Sequence, residues 1–273
     1  MTTSDARSAR LSLIFSSIGH TFSHLFQPLY YVAVLSLEGE LGLTHGEAIQ
    51  LAVLGGVLFG FGAPIAGWLG DKWGAVPMMS VFFIGTGLAM MLTGLAQSPW
   101  QIMATLGLTG LCASIYHPVG IAWLIRNALN RGTALGINGI FGGLGPAIAA
   151  LSAGSIIALM GWRAVFIIPG AMITLVGIAF IVLVARGIIV ETHGDRAPTP
   201  DAEKGDAFRV FAVLALTMLC TDDLSSLASG PTKDLSIASR RHVRRRCYGH
   251  FQHGRAGVLY RRPDAGYRRL AGG

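Results

Sequence analysis

The sequence predicts an all-α protein that crosses a membrane six times, and three observations carry that expectation. Of its 273 residues, 52% are hydrophobic and only 13% are charged, against about 25% charged in a soluble domain. Mean hydropathy is +0.56. The apolar residues run in blocks of about 20 or more, the length a helix needs to cross a hydrocarbon core about 30 Å thick. This composition excludes an ordinary soluble enzyme, a disordered chain and a disulfide scaffold. Cys112, Cys220 and Cys247 stand too far apart in the chain to suggest a metal or disulfide pattern.

Six blocks follow in order: Leu11–Leu37, Glu47–Gly70, Val76–Ala96, Trp100–Ile125, Gly132–Met160 and Arg163–Ala185. The expected layout is a cytoplasmic amino terminus over 1–10 and a six-helix bundle over 11–186. A polar linker over 187–207 comes next, rich in charge and proline. A seventh apolar segment over 208–220 is too short to span. The first block is too long for the apolar core of a cleavable signal, so none is expected.

Loop charges set the expected orientation. With the amino terminus in the cytoplasm, that side holds Arg7, Arg10, Lys72, Arg126, Arg131, Arg186, Arg196, Lys204 and Arg209. The other side holds Glu38, Glu40 and Glu47 with Arg163. That is a strong positive-inside bias. Trp73, Trp100 and Trp162 fall near block ends, where indoles favour the interface.

Glycine is abundant, at 37 residues. Small residues recur four apart at Gly56/Gly60, Ala63/Gly67, Gly132/Gly136, Gly139/Gly143 and Ala150/Gly154. Such pairs let helix backbones approach closely in lipid, and helix packing is their expected role. Pro28, Pro64, Pro118 and Pro146 lie inside blocks, where each removes a backbone donor and bends its helix.

No acid, lysine or arginine occupies the middle of a block. Three histidines do: His20 and His24 in block one, and His117 in block four. His20 and His24 are four apart and share a helix face, with Gln27 close to it. A polar residue within lipid normally faces the bundle interior or a watery cavity. Histidine titrates near neutral pH and can carry a proton. The competing reading is a neutral histidine bonded to a neighbouring carbonyl. A zinc hydrolase is a weaker rival, because HTFSH has Thr21 where the familiar motif has its glutamate base. No metal, cofactor or enzymatic activity is expected.

The string GWLGDKWGAVP joins blocks two and three. Gly67 and Gly74 are expected to let the chain turn. Asp71 is placed to cap a helix or pair with a cation, and Lys72 follows it.

That string resembles the G-x-x-x-D-x-x-G signature of the major facilitator superfamily, with Ala75, Val76 and Pro77 where basic residues usually follow. SHLFQPLY in block one and SIYHPVGIAWL in block four resemble its fosmidomycin-resistance-type members. GGLGPAIAAL in block five resembles its antiporter motif: Gly145 and Pro146 are in place, and Ala149 and Ala150 replace two glycines. Leu106 stands near the position of the usual block-four arginine. The resemblance covers residues about 8–220. It implies the six-helix amino-terminal half of a twelve-helix transporter, built from two inverted three-helix repeats. Helices one and four are then equivalent and line a central cavity. It further implies that Asp71 belongs to a gating latch rather than to a substrate site.

The basic excess lies wholly in the tail. Residues 1–219 carry ten Lys/Arg and ten Asp/Glu, whereas residues 220–273 carry eleven and four. Arginine pairs at 240–241, 261–262 and 268–269, with the run Arg244–Arg246, can be read as a phosphate-binding extension. The favoured reading is a frame shift, because the seventh block stops mid-span and codons read one base later give Gly, Ala and Val types. Residues 221–273 are thus expected to be out of frame or disordered, with no nucleic-acid partner.

The expected function is proton-coupled efflux of a small molecule by a multi-pass protein of the inner or plasma membrane. The expected cavity residues are His20, His24, Gln27, Tyr30, Tyr31, Tyr116, His117 and Asn138. An inactive fragment, or one needing a missing carboxy-terminal half, is the alternative, and a membrane metalloenzyme is the less favoured one.

Overall fold

The structure, a computed structural model, describes residues 3–189, within a compact unit running from Met1 to Asp195. The linker beyond Ile189, the seventh segment and the basic tail lie outside the described residues.

The described residues are helical throughout and contain no strand. Helix α1 covers Thr3–Leu41, α2 His45–Gln50, α3 Val53–Trp73, α4 Ala75–Leu95 and α5 Pro99–Ala113. A π turn over Tyr116–Gly120 leads into α6 (Ile121–Asn127), followed by α7 (Arg131–Met160) and α8 (Trp162–Ala185). Spans one to six are thus α1, α2–α3, α4, α5–α6, α7 and α8.

Among the described residues, five spans are long and apolar enough to cross a membrane: His45–Trp73, Ala75–Leu95, Pro99–Asn127, Arg131–Met160 and Trp162–Ala185. Span one has the length, at 39 residues, but falls short in apolarity. His20, His24 and Gln27 lower its hydropathy most, and serines add to it. Ser12, Ser16, Ser17 and Ser23 are all buried, so the bundle rather than lipid receives them.

Two spans expected as single helices are interrupted. Span two breaks at Leu51–Ala52. Its short first helix begins at a capping box in which Thr44 and Glu47 satisfy each other's backbone amides. Span four widens into the π turn at Pro118, which has no N–H to offer Ser114.

The most extensive helix contacts pair α4 with α8, α1 with α7, and α3 with α5. In span numbers these are three with six, one with five, and two with four. Exchanging spans 1, 2, 3 with 4, 5, 6 maps this set onto itself, as two inverted three-helix repeats require.

Glycine makes each of these contacts close, but not the glycines expected from spacing. A Cβ on Gly55 would lie 2.8 Å from the Leu106 carbonyl oxygen, and one on Gly110 would strike the Gly55 carbonyl. On α4 and α8, a Cβ on Gly87 would fall 2.7 Å from the Gly170 carbonyl oxygen, and one on Gly170 would fall 2.8 Å from that of Gly87. By contrast, Gly56, Gly60, Gly136, Gly139, Gly143 and Gly154 meet nothing within 4 Å. The expectation that those spaced pairs pack the described helices is therefore corrected. One residue along a helix is a 100° turn, so Gly55 and Gly56 cannot serve the same neighbour.

The hairpin between spans two and three also departs from expectation. Gly67 lies inside α3, with room for a Cβ only 3.3 Å from Pro118, so it is a packing residue and not a turn residue. Asp71 and Lys72 occupy the last turn of α3, and Lys72 Nζ sits 4.0 Å above the Trp68 ring. Gly74 alone makes the turn, at φ +92°. Gly161 does the same between α7 and α8, at φ +82°. Pro169 lies inside α8 beside the prolines already noted. Trp73 and Trp100 are exposed, as interfacial indoles would be. Trp162 is not: it is buried, and its Nε1 donates to Glu40 at 2.7 Å.

Candidate functional site

Span one supplies the first part of the site. His20 and His24 are one helical turn apart, and their ring centroids lie 5.1 Å from each other. The π turn supplies the second part. Its wider winding re-aims the residues of span four, and His117 meets both rings, 5.3 Å from His20 and 5.0 Å from His24. One nitrogen from each histidine lies within 4.8 Å of the other two, and all three residues are half-buried.

Span five supplies the clamp. His20 Nδ1 donates to the Asn138 carbonyl at 2.8 Å. A carbonyl oxygen can only accept, so Nδ1 carries a hydrogen, and in the neutral ring the lone pair is then on Nε2. The Tyr116 ring stacks on His20 at 5.1 Å. Close approach of α1 and α7 depends on two glycines. A Cβ on Gly142 would fall 2.6–2.9 Å from the His20 ring, and one on Gly145 would strike the Thr21 carbonyl. Pro146 follows within α7, freeing a backbone acceptor beside this contact.

A buried polar triangle lies beneath the histidines. Asn138 Nδ2 donates to the Tyr116 hydroxyl at 2.8 Å and to Ser16 Oγ at 3.2 Å. The hydroxyls of Ser16 and Tyr116 are 3.0 Å apart. Ser16 also donates to the Gly120 carbonyl at 3.3 Å. Spans one, four and five are thereby tied at one level. Thr21 adds a bond to the Phe141 carbonyl at 2.8 Å.

Of the eight expected cavity residues, His20, His24, Tyr116, His117 and Asn138 come together. Three do not join them. Tyr30 is 1% exposed, and its hydroxyl donates to the Ala48 carbonyl of α2. Its ring neighbours are Tyr31 and Phe166. Its expected place in a cavity is corrected: it pins α2 to α1. Gln27 and Tyr31 are exposed and contact each other, Gln27 Nε2 to the Tyr31 hydroxyl at 3.4 Å. Sequence reasoning missed Ser16 and Thr21. The signal for them was weak, since a hydroxyl in a span commonly bonds its own helix.

At the opposite end from the basic loops, Glu40 accepts from Arg163 at 2.5 Å as well as from Trp162. These two hydrogen bonds, Arg163's being the larger influence, hold the Glu40 carboxyl below its ordinary value. A separate apolar cleft of about 240 Å³ lies between the start of α1 and the α6–α7 loop. It is lined by Leu13, Leu129 and Ala134 among others and includes no histidine.

The described residues thus form a bundle of long apolar helices with a polar cluster turned inward. Residues 15–245 match the Major Facilitator Superfamily. The chain belongs to that superfamily and is a multi-pass integral membrane protein. It is 26% identical over 151 residues to a puromycin resistance protein, pur8, of Streptomyces alboniger, covering 54% of this chain and 30% of that one. It is 27% identical over 181 residues to the multidrug resistance protein MdtG of Enterobacter lignolyticus, covering 66% and 42%. A probable sulfoacetate transporter, SauU, of Cupriavidus necator is 31% identical over 151 residues, covering 52% and 33%. Among solved structures, the peptide transporter POT in complex with sulfate superposes with a TM-score of 0.54 at 20% identity, covering 78% of this chain and 45% of that one. The chain spans less than half the length of the relatives it matches.

Proposed function

We propose that the chain forms the amino-terminal half of a proton-coupled efflux carrier for drug-like small molecules, of the fosmidomycin-resistance-type branch. Its amino terminus lies in the cytoplasm and its bundle in the inner, or plasma, membrane. The observation that carries this reading is the meeting of His20, His24 and His117 at the crossing of spans one, four and five. Among the described residues no other ionisable side chain of the span interiors has a titration range near neutral pH. Tyr116 and Asn138 hold the histidines in place. Gln27 and Tyr31, exposed on span one, are left to contact solute. Gly67, Asp71, Lys72 and Gly74 make up the gating motif at the end of α3, and Gly145 with Pro146 the helix-five motif.

Support for a drug-like solute comes from the resistance proteins among the relatives. The test is puromycin transport by the full chain reconstituted in liposomes under an imposed pH gradient. Puromycin movement that collapses when the gradient is dissipated supports the reading. Puromycin movement that ignores the gradient contradicts proton coupling.

A second reading rests on chain coverage. The matched relatives are more than twice as long as the aligned part; on this reading the chain serves only when a second six-helix half completes its cavity and is an inactive fragment otherwise. Absence of any puromycin movement by the chain alone, with the protein correctly inserted, favours this second reading.

A further inference from the structure

We propose that His20, His24 and His117 form a binding site for one divalent transition-metal ion of the Zn²⁺ class. The site is incomplete in any single helix. His20 and His24 present two imidazoles from one face of α1, and the π turn brings the third across from span four. One candidate ligand nitrogen from each lies within 4.8 Å of the others. Zinc–imidazole bonds are about 2.0–2.1 Å, so bound nitrogens stand about 3.3 Å apart in a tetrahedron. Closing that difference moves each nitrogen about 1 Å toward a shared centre.

The second shell is already in place. A metal-bound imidazole usually donates its other N–H to a carbonyl or carboxylate, which fixes tautomer and orientation. His20 does this toward the Asn138 carbonyl. The Tyr116 ring stacked on His20 and the Phe59 ring 6.0 Å from His117 limit how the rings can turn. Three neutral nitrogens select zinc, cobalt, nickel or copper over magnesium and calcium, which require oxygen.

No carboxylate lies in the span interiors among the described residues. The ion would therefore keep both charges, with its fourth position open to water or an anion. Metal and protons compete for the same nitrogens, so binding weakens as pH falls. The site stands on its own geometry and is read by binding, whether or not the chain moves puromycin.

The test uses Co²⁺ and Zn²⁺ with the full chain in detergent. The expected result is one Co²⁺ per chain with visible tetrahedral bands, displaced by Zn²⁺, beyond any ions held elsewhere. Replacing His193, His242, His250 and His253 by glutamine should leave this ion in place, as should His45→Gln. His24→Gln or His117→Gln should weaken it about tenfold or more. A second measurement needs no variant: in the wild-type chain, Zn²⁺ should protect His20, His24 and His117 from diethyl pyrocarbonate, read by peptide mass. Unaltered modification of all three with Zn²⁺ present, or Co²⁺ binding unchanged in the folded His24→Gln and His117→Gln variants, overturns the proposal.

Discussion

The Nδ1 nitrogen of His20 donates to the Asn138 carbonyl at 2.8 Å, so a ring on span one is fixed by the main chain of span five. Gly142 makes this possible, because a Cβ there would fall 2.6–2.9 Å from that ring. Gly143, its neighbour, meets nothing within 4 Å. Gly142→Ala should therefore lower the thermal midpoint in detergent, and Gly143→Ala should leave it unchanged. Equal effects would contradict the register of α7 against α1.

Asn138 joins the hydroxyls of Tyr116 and Ser16 while 2% exposed. Asn138→Leu removes the amide and leaves the two hydroxyls only each other and, for Ser16, the Gly120 carbonyl. A loss of about 1–2 kcal/mol is expected, since a polar contact between membrane helices contributes less than its count of bonds suggests. Reversible unfolding in mixed micelles measures it, and an unchanged midpoint would remove the triangle from the bundle's stability.

Gly74 turns the chain between α3 and α4 at φ +92°. A side chain is strained there, so Gly74→Ala should destabilise the protein by about 1–2 kcal/mol. Gly139→Ala, on an open helical face, is the matched control and should be neutral or slightly stabilising. The two midpoints, compared in one detergent, check the difference.

The Glu40 clasp gives a pH dependence of known sign. Hydrogen bonds from Arg163 and Trp162 lower the carboxyl's folded value from an ordinary 4.5. A group depressed on folding stabilises fully above its unfolded value and loses that contribution as pH falls through the folded one. The thermal midpoint should therefore drop below about pH 4.5. Glu40→Gln should start lower at pH 7 and show a shallower acid decline. Parallel acid limbs for the two proteins would show that the clasp contributes nothing.

The span positions were legible because apolar run length is a one-dimensional property. Half of the site was legible too: His20 and His24 share a face by their spacing alone. That His117 joins them depends on a π turn that Pro118 permits but does not announce. The glycines were misread because spacing of four is shared by every face of a helix, and only the fold says which face has a neighbour. Tyr30 and Tyr31 are adjacent on α1, yet the first is buried against α2 and the second exposed, a difference set by helix phase. Trp162 sits at a block end as an interfacial indole would, but Glu40, 122 positions earlier, draws it inward.

Proton release driven by puromycin, followed from pH 5 to 8 in liposomes holding the wild-type or His117→Ala chain, tests the role of the histidines most directly. The wild-type signal is expected to change across that range, where imidazole gains and loses its proton, and the His117→Ala signal to be abolished or flat. A wild-type pH profile reproduced in full by His117→Ala would contradict proton handling at the junction of spans one, four and five.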